Sequence, residues 1–145
     1  MSAYPDTGFL CSLYASDTHS ARAASRMARQ PLPLPFGWLH QLELRNALRL
    51  RVFRREITRP QREAALNLLL ADLAGGVLVH AAPSHPAVLI EAERLSALHS
   101  ETLGTRSLDI LHVASALVLG AADFLTFDHR QAALAKAAGL TAPAL

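Results

Sequence analysis

Apolar residues recur along this chain in two rhythms. From Thr105 to Val118, Leu108, Leu111, Ala114 and Leu117, with Val118 beside them, recur at the steps that put residues on one helix face. Gly120 then predicts the helix end, since glycine accepts the left-handed conformation common there. Phe124-Leu125-Thr126-Phe127 has the length and composition of a strand. Two carboxylates frame this unit. Asp109 lies in the first turn of the helix, and Asp128 lies where the strand stops and another helix begins. Ligands in open α/β sheets bind at such strand ends.

The rest of the chain repeats the alternation. Residues 2–5 predict a short strand that stops at Pro5-Asp6, because proline cannot donate to a ladder. A helix follows from Gly8 to Ala15, with Asp6 and Thr7 as capping types and Phe9, Leu10, Leu13 and Tyr14 facing a core. Asp17-Thr18 opens a second helix to about Arg29, with an alanine stripe at Ala21, Ala24 and Ala28 and a basic face at Arg22, Arg26 and Arg29. Leu34 and Phe36 form a short strand candidate in the proline-punctuated segment Pro31 to Gly37. Two helices come next, Leu39 to Ile57 and Pro60 to Gly75-Gly76, then a strand of buried type at Val77–His80. After a loop at Pro83–Pro86, residues 87–99 read as helix, Gly104 breaks the chain, and Arg130 to Ala138 closes it as helix before Gly139. Strands alternating with helices predict an α/β fold with a mostly parallel sheet covered on both faces. No repeat or linker divides the chain, so residues 1–145 are expected to form a single domain.

Composition narrows the class. With 51% hydrophobic and 18% charged residues, the chain is globular rather than disordered. The longest apolar run, Val113 to Ala122, is about half of a membrane span. The N-terminal apolar run lacks a basic lead and is interrupted by Asp6, which argues against a signal peptide. The expected location is the cytoplasm, with no membrane association. Cys11 is the single cysteine, so an internal disulfide and a cysteine zinc site are excluded, and it reads as a small core residue. Net charge is only +2, yet Arg45, Arg49, Arg51, Arg54, Arg55, Arg59 and Arg62 crowd one stretch. Arginine forks match phosphate, so the cluster suits a polyanion; charge alone equally allows a solvated helix face.

Taken singly, the acids have ordinary explanations. Asp6 and Asp128 suit helix caps, and Asp109 suits a first-turn acid behind a Ser107 cap. Glu43 does not, because it falls within the apolar stripe between Leu39 and Ala47. A carboxylate there needs a partner, either an arginine or a metal shared with other acids. The joint pattern favours metal. Carboxylates about 4 Å apart repel by roughly 4 kcal/mol at an effective dielectric near 20. Mg²⁺ or Mn²⁺ relieves that repulsion and prefers oxygen ligands. Beside an arginine-rich helix, such a site suits phosphodiester hydrolysis.

These residues resemble a known family. The pieces YPDTGFL around Asp6, LELRNAL around Glu43, TRSLDILHVASAL around Asp109 and FLTFDHRQ around Asp128 look like those of the PIN-domain ribonucleases, specifically the VapC-type toxins of toxin–antitoxin pairs. No piece is specific alone; their order and spacing from residue 4 to 131 carry the resemblance. It implies a three-layer α/β/α sandwich with a central mostly parallel sheet. It also implies a Mg²⁺- or Mn²⁺-dependent endoribonuclease, an RNA substrate, a small antitoxin that covers the site, and a homodimer. Asp6, Glu43 and Asp109 match the core metal-binding and catalytic acids, and Asp128 matches a more variable fourth. Thr126 matches a small polar residue near that acid. Thr7 is expected to help orient Asp6. Asn46 and Arg106, near matched acids, are candidates for contact with substrate, and Arg45 and Arg49 for guiding the RNA backbone. Gly8 departs from the family, which often places a small hydroxyl residue there. Asp123, at the far end of its strand, reads as structural, and His112 as a core histidine. A second reading is a PIN-like nucleic-acid- or antitoxin-binding module that no longer cuts. A phosphatase or receiver-like site would need a supporting lysine, and the sole lysine is Lys136 in the last helix.

Overall fold

Short strands and longer helices alternate along the chain in the computed structural model, which describes residues 3–31 and 33–145. Ser2, the first residue of the expected opening strand, and Leu32 in the proline-rich segment lie outside the described residues. The order is β1 (Ala3–Pro5), α1 (Thr7–Tyr14), α2 (Ser20–Arg29), β2 (Leu34–Phe36), α3 (Trp38–Phe53), α4 (Arg59–Ala74), β3 (Leu78–His80), α5 (His85–Leu103), α6 (Ser107–Val118), β4 (Asp123–Leu125) and α7 (His129–Ala137). Contacts divide these elements into two units: residues up to Asp6 with Ala82–Leu145, and Thr7–Ala81. The strands pair in parallel within each unit, β1 with β4 and β2 with β3.

In the first unit, Tyr4 lies opposite Phe124 and Pro5 opposite Leu125. The Tyr4 ring stacks on Phe124 at 5.7 Å, and its hydroxyl hydrogen-bonds His112 Nδ1 at 2.8 Å. Pro5 is the last residue of β1, so the strand stops at Pro5-Asp6 as expected. The neighbouring Asp6 N–H supplies the next ladder bond, to the Leu125 carbonyl at 3.0 Å, so the donor that proline lacks is not used on the β4 side. Helices α5, α6 and α7 pack together over a core that includes Leu95, Val113, Ala114, Phe124 and Leu134, all fully buried. Each large side chain among them contributes about 1.5–3 kcal/mol by leaving water. Gly104, at φ 64°, ends α5 in the left-handed conformation and releases the chain into Thr105-Arg106 before α6.

In the second unit, α1 packs against α2, α3 and α4, and buries Phe9, Leu10 and Tyr14. Pro35 is tolerated in β2 for the reason that Pro5 is tolerated in β1. The ladder uses Leu34 N–H to the Val77 carbonyl at 3.0 Å and the Phe36 carbonyl from Ala81 N–H at 3.1 Å. The turn between α1 and α2 is closed by Asp17, which accepts from Ser12 Oγ at 2.8 Å, from the His19 N–H at 2.8 Å and from Arg51 at 3.0 Å.

Several boundaries move from their expected places. Helix α2 starts at Ser20, because Asp17 spends its oxygens on the preceding turn. Helix α3 ends at Phe53 rather than Ile57, through Arg55 in the left-handed region at φ 60°. Helix α5 runs from His85 to Leu103, longer at both ends than 87–99, with Ser84 capping Ala87 N–H. Strand β4 is Asp123–Leu125, so Thr126 and Phe127 lie beyond it. Strand β3 is not of buried type, since only Leu78 is buried and Val79 and His80 are exposed. No helix among the described residues is long and apolar enough to cross a membrane.

Candidate functional site

The parallel ladder of β1 and β4 delivers two acids to the C-terminal ends of paired strands. Asp6 follows β1 directly and is only 4% exposed. Beyond β4, buried Thr126 joins the two acids. Its hydroxyl donates to Asp6 Oδ2 and accepts from the Asp128 N–H at 2.9 Å. Asp128 then caps α7, with Oδ1 accepting from Arg130 N–H at 2.8 Å and Gln131 N–H at 3.0 Å. Its other oxygen, Oδ2, lies 3.9 Å from Arg106 Nη2.

Asp109 lies in the first turn of α6, where the helix dipole favours a negative charge. The expected Ser107 cap is not the one found. Arg106 holds the capping position without a side-chain cap bond, and its Nε instead donates to Asp109 Oδ2 at 3.1 Å. Arg106 thus faces both Asp109 and Asp128 with one guanidinium, 72% exposed to solvent. Gln131, which sequence reasoning passed over, is buried and links the same two acids through the backbone. Its N–H serves Asp128, and its Nε2 reaches the Asp109 carbonyl at 3.4 Å. The Asp128-x-x-Gln131 spacing of a capping box was legible. In the fold the amide turns to α6, since Thr126 already satisfies the Asp128 N–H.

In the second unit, Glu43 sits half-buried in the middle of α3, as its place in the apolar stripe requires. Thr7 Oγ1 donates to its Oε1 at 3.0 Å. Thr7 is the first residue of α1 and follows Asp6 in the chain. Asn46 and Arg49 are exposed on α3, while Arg45 is half-buried with its Nε lacking a hydrogen-bond partner. Arg51 is drawn from the basic cluster into the Asp17 ion pair. Cys11 is buried, and desolvation pushes its thiol up despite Arg51, which suits a core residue rather than a nucleophile.

The donor set has the chemistry of a hard-cation site, consisting of carboxylates with hydroxyl neighbours. As the side chains stand, no three His, Cys, Asp or Glu residues among those described are grouped to hold a metal ion. Asp109 and Asp128 are instead turned toward a shared arginine.

The alternation of helices with short parallel strands, ending in strand-end acids, is a mixed α/β architecture known from solved structures. The chain has the fold of VapC20 from Mycobacterium tuberculosis, a toxin that cleaves the sarcin–ricin loop. The two align with a TM-score of 0.72 over 99% of this chain and 100% of that one, at 19% sequence identity. No family model matches the sequence, and no curated protein matches it.

Proposed function

We propose that this chain is an endoribonuclease of the VapC toxin type, a single three-layer α/β/α domain that hydrolyses RNA phosphodiester bonds with Mg²⁺ or Mn²⁺. The observation that carries the reading is the Thr126 bridge. It ties Asp6 to Asp128 at the C-terminal ends of paired strands, where α/β folds bind ligands, in a chain with the fold of a toxin that cleaves RNA. Asp6, Asp109 and Asp128 would hold the ion, with Glu43 as the fourth acid. A bound divalent ion would supply an activated water and stabilise charge on the phosphate oxygens.

The protein's own groups have separate roles in this reading. Thr126 holds one Asp6 oxygen and so aims the other. Thr7 does the same for Glu43. Asp128 is anchored by two backbone N–H groups, which keep its position fixed while leaving Oδ2 to face outward toward Arg106. Exposed Arg49 and Arg106 would meet the RNA backbone, since phosphate contacts position a substrate without specifying its sequence. Arg45, half-buried, would contribute less than its place in the basic stretch suggests. A small antitoxin would cover the site, and the toxin would act as a homodimer in the cytoplasm.

The test is cleavage of a structured RNA by purified protein, with and without chelator. The reading expects cleavage to stop in excess EDTA and return on adding Mn²⁺. Cleavage that persists in EDTA would remove the metal from the mechanism. A second reading, a binding module that no longer cuts, is favoured by one observation: Arg106 already pairs with Asp109. It expects RNA to be bound but left intact at every Mn²⁺ concentration.

A further inference from the structure

We propose that Arg106 is a built-in counter-ion, which competes with the divalent cation for Asp109 and Asp128 and so sets the cation concentration at which the site loads. The inference rests on the metal reading above and adds to it the control of that site.

Three observations support it. First, Arg106 stands at the start of α6 in extended conformation, with no capping bond from its side chain. A guanidinium only donates, so it cannot cap the helix N–H groups, and its Nε donates to Asp109 Oδ2 instead. Second, it faces one oxygen of each acid: Nε is 3.1 Å from Asp109 Oδ2, and Nη2 is 3.9 Å from Asp128 Oδ2. A planar fork can span two carboxylates that a point charge could not. Third, the side chain is 72% exposed while that of Asp109 is 17% exposed, so the cation is the mobile member of the pair.

Competition follows from electrostatics. Asp109 and Asp128 repel each other, and a positive charge between them relieves that repulsion whether it is a guanidinium or a metal ion. Both cannot sit on the same oxygens, because they repel each other. Exposed pairs contribute little net stability, so a doubly charged ion can displace the arginine. The paired form still reduces the fraction of molecules ready to bind. For a pair of ordinary strength, that weakens apparent cation affinity by about two- to fivefold.

Arg130 provides the control. It is exposed and lies two residues after Asp128, whose Oδ1 accepts its backbone N–H, but its guanidinium reaches the Gly104 carbonyl at 3.5 Å. Calorimetric titration of Mn²⁺ into the wild type, Arg106→Gln, Arg130→Gln and Asp109→Asn decides the matter without measuring cleavage. The expected result is Mn²⁺ binding that is lost in Asp109→Asn, about two- to fivefold tighter in Arg106→Gln, and little changed in Arg130→Gln. Equal tightening in both arginine variants would mean that only the general field matters, and would overturn the proposal. Unchanged affinity in Arg106→Gln would overturn it too, while leaving the metal reading intact. Absence of Mn²⁺ binding by the wild type would overturn both, and is recognisable because Asp109→Asn then gives the same flat titration.

Discussion

The pairs β1–β4 and β2–β3 both align three residues in parallel, and both carry a proline, Pro5 or Pro35, in one strand. They differ in the residues just past the strands. Beyond β1 and β4 come Asp6, Thr126 and Asp128, joined by side-chain hydrogen bonds. Beyond β2 comes Gly37, whose N–H donates to Nδ1 of fully buried His40 at 2.9 Å, with the His40 ring stacked on Phe36 at 5.6 Å. One strand end gathers carboxylates and the other gathers packing. The backbone device is the same, so the two ends are set apart by the side chains placed just past the ladder.

The widest separation between the two ends is expected from the acids. Asp109→Asn should lower RNA cleavage by at least about 100-fold, beyond the loss usual for a ligand's supporting partner. Its melting temperature should stay within about 4 °C of wild type, because the Arg106 pair is exposed and weak. Near wild-type turnover by this variant would break the contrast entirely.

Thr7→Val and Thr126→Val should each reduce kcat by about tenfold or more, as loss of an orienting hydrogen bond to a metal-holding acid typically does. Thr126→Val should also melt lower, since it leaves a buried Asp6 oxygen and the Asp128 N–H without that partner, at about 1–3 kcal/mol. If Thr126→Val cleaves at full rate with an unchanged Mn²⁺ affinity, the bridge is only structural.

At the other strand pair the balance reverses. His40→Phe removes the acceptor for Gly37 N–H and should cost about 1–3 kcal/mol, roughly 2–12 °C in Tm. Cleavage per folded molecule should change less than about threefold, well below the effect of losing a metal-supporting group. A tenfold loss of kcat in His40→Phe would show that the second pair also shapes the site.

The smallest effect concerns acid. Burial raises the Asp17 carboxyl, but the His19 N–H, Ser12 and Arg51 together outweigh it and hold it below its ordinary 3.8. A lowered folded-state value means stability that is present above 3.8 and lost as pH falls below it. Melting curves of Asp17→Asn should therefore lie below wild type at neutral pH and converge with it as the pH drops under 3.8. Parallel curves at all pH values would assign the effect to packing.

Some of this was legible residue by residue. Asp128 was readable as a cap, because capping uses neighbours two and three residues on, which the sequence prints side by side. The end of α3 was not, because Arg55 takes the left-handed conformation without a glycine or asparagine to mark it. The burial of β3 was misread, since Val77-Leu78-Val79 is apolar throughout and periodicity cannot say which face is covered.

By itself the sequence determined the alternation of helix and strand, the single thiol, and where each of the four acids falls relative to those elements. Those follow from local periodicity, propensity and spacing, which act over a few residues. Only the tertiary structure decided the partners: Thr126 for Asp6 across 120 residues, Thr7 for Glu43 across 36, and Arg106 shared by Asp109 and Asp128. Hydrogen bonds and ion pairs act over a few ångströms, and which distant side chains come that close is settled by packing of the core rather than by chain order.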